Sequence, residues 1–226
     1  MRQNNYNAFL FIFFVLTLIS NSICQEKTYF PKCGVYDDKV VPKVLEGIPL
    51  NENDPSYKRN LDSDNFKDFK IHMDLENLDY EIEQNNLTHY RDIYVSSIMK
   101  AINTLEKLLK VVPFVNNYRI LDDSLKSIGL ERWDKTKFGN ESYEKNRTTM
   151  TSLGIDLVIF GKIIDVDNST LASAGARYLD ANHRPFVGIV NINKNVDYSL
   201  PKSREYLDSI LIHEFTHILG FANFFF

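Results

Sequence analysis

The stretch His213-Glu214-Phe215-Thr216-His217-Ile218-Leu219-Gly220-Phe221 carries the pattern His-Glu-x-x-His, with a glycine three residues on. Residues four apart stack on one face of a helix about 6 Å apart, so His213 and His217 can share one small cation. Neutral imidazole suits Zn2+, and Glu214, one step round the helix, can reach a water activated by the metal without ligating the metal itself. Zinc brings the pKa of such a water to about 7, which makes Glu214 a candidate general base that can later hand a proton to a leaving amine. In a chain of 226 residues with five histidines, the pattern arises by chance on the order of once in a hundred chains.

The surrounding residues place the pattern on a helix. Tyr206, Leu207, Ile210, Leu211 and Ile218 recur at helical spacing, and Pro201 and Ser203 are suitable starting residues. Gly220 can take the left-handed conformation that ends a helix, with Phe221 beyond it for the capping contact. Upstream, Phe186 to Ile192 reads as a strand in which Gly188 admits a close neighbour, with Asn191 and Asn193 facing solvent or a cleft. Leu157-Val158-Ile159-Phe160 is continuously apolar, as expected of a sheet strand covered on both faces. Between these two strands, Asn168 to His183 carries Ala172, Ala174, Gly175 and Ala176 and reads as a loop crossing, with His183 a polar loop residue rather than a ligand. Phe69, Ile71, Met73 and Leu75 alternate with Lys70, His72 and Asp74, the pattern of a half-buried strand. The periodicity from Ile93 to Val112 predicts a long amphipathic helix ended by Pro113.

Composition bounds the class. The chain is 44% hydrophobic and 25% charged, enough for a sizeable core, and shows no internal repeat. A net charge of -4 and a pI near 5.8 supply no basic patch and exclude nucleic acid as the main partner. Arg2 precedes an apolar run from Ala8 to Ile19, too short to span a bilayer, and Ser22-Ile23-Cys24 suits signal peptidase, so residues 1–24 read as a signal peptide. In the secretory route, the sequons at Asn86, Asn140, Asn146 and Asn168 become glycosylation candidates. Residues 25–67, rich in Pro, Asp, Asn and Lys, read as an extended, propeptide-like leader over the surface. Removal of Cys24 with the signal leaves Cys33 unpaired. Its partner can lie beyond Phe226 or in a second chain, or its thiolate can ligate zinc and block the site until the leader is cut.

Three blocks, Asp156 to Ile159, His183 to Asn191 and His213 to Phe221, together resemble the leishmanolysin family of metzincin zinc endopeptidases. Asp68 to Asp74 is similar to that family's first strand and Ile98 to Phe114 to its first helix, so the resemblance covers most of residues 66–221. It implies an α+β zincin-type N-terminal subdomain: a twisted mixed sheet on helices, an antiparallel edge strand that binds extended peptide, and the motif helix beneath the cleft. By position, Phe186 to Asn191 is similar to that edge strand, with Gly188 and Val190 as its substrate-binding residues. Pro31 to Asp37 is similar to the family's cysteine-containing leader motif.

The resemblance implies a third histidine ligand downstream of the glycine, then a methionine turn and a cysteine-rich C-terminal subdomain, none of which is present by Phe226. Residues 68–226 therefore read as a partial metallopeptidase domain. The resulting expectation is a secreted or membrane-associated, surface-held zinc metalloendopeptidase acting on protein or peptide substrates. The alternative is a non-catalytic relative that serves as an adhesion or peptide-binding module. With two histidine ligands, the 226-residue chain is expected to retain zinc poorly. A purified, zinc-supplemented sample should leave casein intact, and cleavage of casein by it would overturn this expectation.

Overall fold

Leu157 to Phe160 is buried at all four positions, and side chains alternate between two separate cores across the sheet it helps to form. In the computed structural model the residues described are 43–44, 48–49, 66–112, 114, 116–118, 122–134, 153–167, 169–180 and 182–221. The signal segment, Cys33, Asn140, Asn146 and Asn168 lie outside them.

The main sheet has five strands. They are β1 (Lys43–Val44), β4 (Ile71–Asp74), β7 (Leu157–Ile164), β8 (Ala172–Leu179) and β9 (Pro185–Asn193), in the order β1-β8-β9-β7-β4. β4, β7 and β9 run parallel, β8 is antiparallel to β9, and β1 is parallel to β8. Two short ribbons join β2 (Ile48–Pro49) to β6 (Asn116–Asn117), and β3 (Lys67–Asp68) to β5 (Lys110–Val111). Thus β1 and β2, which fall within residues 25–67, pair with strands further along the chain.

Helices α1 (Glu76–Gln84), α2 (Arg91–Leu108) and α4 (Pro201–Ile218) share one core with Leu157, Ile159, Val190 and Ile192. On the opposite face, Val158, Phe160, Val187 and Ile189 pack with Leu125 of α3 (Asp122–Ser127), Leu130 and Trp133. Two glycines set the spacing between helices and sheet. A Cβ on Gly161 would lie 2.8 Å from the Leu78 Cβ of α1, and one on Gly188 would lie 2.5 Å from Ile218 Cγ2 of α4.

Several expectations need correction. The 168–183 segment is not a loop crossing, because Ala172–Leu179 forms β8. Its small side chains at 172, 174 and 176 are buried, and a strand packed closely against α4 has room for little more. Phe186 to Asn191 is not an edge strand, because β9 pairs along its length with β7 on one side and β8 on the other, so the backbone of Gly188 and Val190 is enclosed. Asn193 is fully buried rather than solvent-facing, and its amide donates to the carbonyls of Asp167 and Thr170 at 2.8 and 2.7 Å. The long helix stops at Leu108, not Val112. Leu109 turns extended and accepts from the Phe69 N–H at 3.3 Å, and β-branched Val111 then joins the ribbon with β3. Asp74, expected to face outward with His72, is 2% exposed, and its carboxylate accepts from the backbone N–H groups of Glu76 and Asp134 at 3.1 and 2.8 Å.

The tight seat of α4 on β9 yields a prediction. Gly188→Ala should cost about 1–3 kcal/mol through overpacking. Paired with Ile218→Ala, which removes Cγ2, its added cost should shrink, read as a non-additive double-mutant cycle in urea unfolding.

Candidate metal centre

Leu200 is extended at the N-cap of α4 and Pro201 opens the helix, where its missing N–H removes no helical bond. The helix buries Leu207, Leu211, Phe215 and Ile218 along one stripe facing the sheet. Almost three turns before the end of the helix, Asp208 ties it to α2. Ser97 Oγ donates to Oδ1 at 2.5 Å and Lys100 Nζ to Oδ2 at 2.6 Å. Burial by itself would raise the Asp208 carboxyl, but hydrogen bonds from Lys100 and Ser97 and the Lys100 charge outweigh it and hold the group below the usual aspartate range.

The stripe leaves His213 and His217 half-buried on the neighbouring face, their ring centroids 4.8 Å apart and nearly perpendicular at 85°. With Glu214 they form a group whose candidate ligand atoms all lie within 4.8 Å of one another, the one such group of three among the described residues. Burial, and secondarily the His217 charge, push the His213 pKa below its ordinary value. A neutral imidazole is the form that ligates metal, so burial favours the competent state of His213.

The end of the helix orients the second histidine. Gly220 has φ 95°, its N–H donates to the His217 carbonyl at 3.2 Å, and the Phe221 N–H donates to the Thr216 carbonyl at 3.0 Å. These two bonds make a Schellman turn. The turn brings the Phe221 carbonyl to 2.9 Å from His217 Nδ1. A carbonyl can only accept, so Nδ1 carries the proton and Nε2 keeps its lone pair for a metal.

Glu214 is fully buried, and its Oε2 accepts from the backbone N–H of Ala174 at 3.0 Å. That N–H therefore points away from β9, toward the outer edge of β8. On the same edge, β1 pairs with Tyr178 and Leu179. Two imidazole nitrogens with a carboxylate beside them form a borderline donor set that fits zinc. Glu214 thus stands between the two candidate ligands and the outer edge of β8.

The structure brings His213, Glu214 and His217 together as their spacing predicts. It does not bring in His183, which sits at φ 61° in the β8–β9 turn with its N–H donating to the Asp180 carbonyl at 2.9 Å. Sequence reasoning missed Ala174, Asp208 and the Phe221 carbonyl. The first had a signal in the alanines at every second position from 172 to 176 and the Phe221 carbonyl had one in the glycine cap at 220, whereas Asp208 had none, because its partners on α2 come from a distant part of the chain.

With this geometry in view, comparison with known proteins identifies the class. The family model for leishmanolysin, peptidase M8, matches residues 83–226, and the chain belongs to that family of metallopeptidases. Membership implies a metal at the site. A search of curated proteins returns no match. Among the described residues no helix is long and apolar enough to cross a membrane.

The Asp208 anchor can be tested by titration. Its folded pKa is depressed, so its contribution is present above the ordinary aspartate value of about 3.9 and is lost as pH falls through the lower folded value. Asp208→Asn should flatten the acid limb of stability below about pH 4, and Ser97→Ala should cost about 1–3 kcal/mol near neutrality, both read by urea unfolding across a pH series.

Proposed function

We propose that this protein is a zinc-dependent metalloendopeptidase in which His213 and His217 ligate the metal and Glu214 is the general base. The observation that supports this best is the convergence of the three side chains within 4.8 Å, with Glu214 held at the edge of the sheet by Ala174. When bound, zinc polarises a peptide carbonyl and brings a water pKa near neutrality. The chain's own residues do the rest. His217 is locked in one tautomer by the Phe221 carbonyl, and His213 is kept neutral by burial. Glu214 removes the proton from the attacking water and returns one to the amine as the peptide bond breaks.

The substrate in this reading is an extended protein segment lying along the outer edge of β8, not β9. Main-chain pairing there gives affinity with broad tolerance of side chains. Ala174 makes binding and chemistry interdependent. A substrate carbonyl that takes the Ala174 N–H displaces the Glu214 carboxylate from it, which frees the base in the presence of its substrate.

Metal content and hydrolysis separate these roles. His213→Ala and His217→Ala should lose zinc in equilibrium dialysis. Glu214→Ala should keep zinc and lower peptide hydrolysis by about 10²–10⁴-fold relative to the unsubstituted protein in its active form. Zinc loss in Glu214→Ala would make it a ligand and overturn the base assignment. Where the zinc ligand set is complete, an unsubstituted protein that binds extended peptides without cutting them would favour the binding-module reading.

A further inference from the structure

We propose that Asn86 is an N-linked glycan acceptor, with Thr88 as the hydroxyl residue that the transferase reads. The sequon Asn86-Leu87-Thr88 falls at the end of α1, in a turn built to present both polar residues outward. The Asn86 N–H donates to the Glu83 carbonyl at 3.1 Å and the Leu87 N–H to the Ile82 carbonyl at 2.9 Å, a second Schellman turn. Leu87 is 9% exposed and belongs to the same core as Ile82, which pins the middle of the sequon. Asn86 and Thr88 on either side of it are both exposed.

Asn86 has φ 56°, a left-handed conformation that asparagine tolerates better than most residues with a side chain. Helix termination alone explains an asparagine at 86. It does not explain Thr88, which opens the 3-10 turn Thr88–Tyr90 as an exposed residue where the structure needs no hydroxyl, since the N-cap is Leu87 and has no side-chain cap bond. Neighbouring Asn85, by contrast, is engaged internally, its amide donating to the Glu81 carbonyl at 2.8 Å and its oxygen accepting from Lys194 at 3.5 Å. A sugar on Asn86 would project into solvent without disturbing any described contact.

The co-reactant is a lipid diphosphate-linked oligosaccharide. The Asn86 amide nitrogen bonds to the anomeric carbon, the carbon–oxygen bond to the diphosphate breaks, and the amide proton leaves with the lipid diphosphate. This chemistry belongs to the lumen of the secretory pathway, which the apolar run from Ala8 to Ile19 is suited to enter. It does not depend on peptidase activity.

The test expresses the full chain with its own amino terminus in glycosylating eukaryotic cells. The purified product is treated with peptide N-glycosidase in heavy-oxygen water, and the peptide spanning residue 86 is read by mass spectrometry. The expected result is an isotope-labelled aspartate at 86 in the unsubstituted chain and none in Thr88→Ala. Asn86→Gly, which keeps the left-handed turn, should lose the modification with an unchanged unfolding midpoint. Exported protein with an unmodified Asn86 would overturn the proposal. So would a chain that stays in the cytosol without sugar, and cell fractionation distinguishes the two failures.

Discussion

The close approach of α4 to the sheet is the constraint on which the rest of the structure depends. Ile218 occupies the space that a side chain at Gly188 would fill, and Ala172, Ala174 and Ala176 offer a low surface along β8. Any larger residue in this track would lift the helix and withdraw Glu214 from the Ala174 N–H. The geometry of the candidate centre is therefore a packing property of β8 and β9 before it is a property of the motif. Ser97 and Lys100 hold the middle of the same helix through Asp208, so α4 is fixed at two points about one and two-thirds turns apart along its axis.

Buried polar groups perform the corresponding task for the loops. Asp156 is fully buried and receives Arg184 at 2.8 Å, Lys67 at 3.0 Å and the Lys70 N–H at 3.0 Å, which joins the start of β7 to the β8–β9 hairpin and to the strand before β4. Arg184 also lies 3.9 Å from the centre of the Phe114 ring, so its half-buried charge has both a carboxylate and an aromatic face. Asn77, fully buried on α1, donates to the Gly161 carbonyl at 3.0 Å and accepts from the Glu131 and Arg132 N–H groups at 3.0 and 3.2 Å. Such groups are costly when unpaired, and their pairing here fixes how the chain crosses from one face of the sheet to the other.

Legibility followed the range of the interactions involved. The motif helix, its glycine end and the strands at 157–160 and 186–192 were readable, because each rests on spacing or on an unbroken apolar run within a few residues. β8 was not, since alanine and glycine carry little strand preference and the pairing with β9 supplies what the local sequence lacks. The end of α2 was misplaced for a related reason. The periodicity continues to Val112, but the ribbon with β3 takes Lys110 and Val111 out of the helix.

By itself the sequence determined the metal-binding type of chemistry. Histidines four apart with an adjacent glutamate meet on any helix, and Gly220 ends that helix wherever it lies in the fold. Tertiary structure decided which strand faces the glutamate, because strand order and the closure of β9 on both sides arise from pairings between residues far apart in the chain. The proton position on His217, by contrast, is local, since the Phe221 carbonyl that reaches Nδ1 lies four residues on, across the left-handed turn at Gly220.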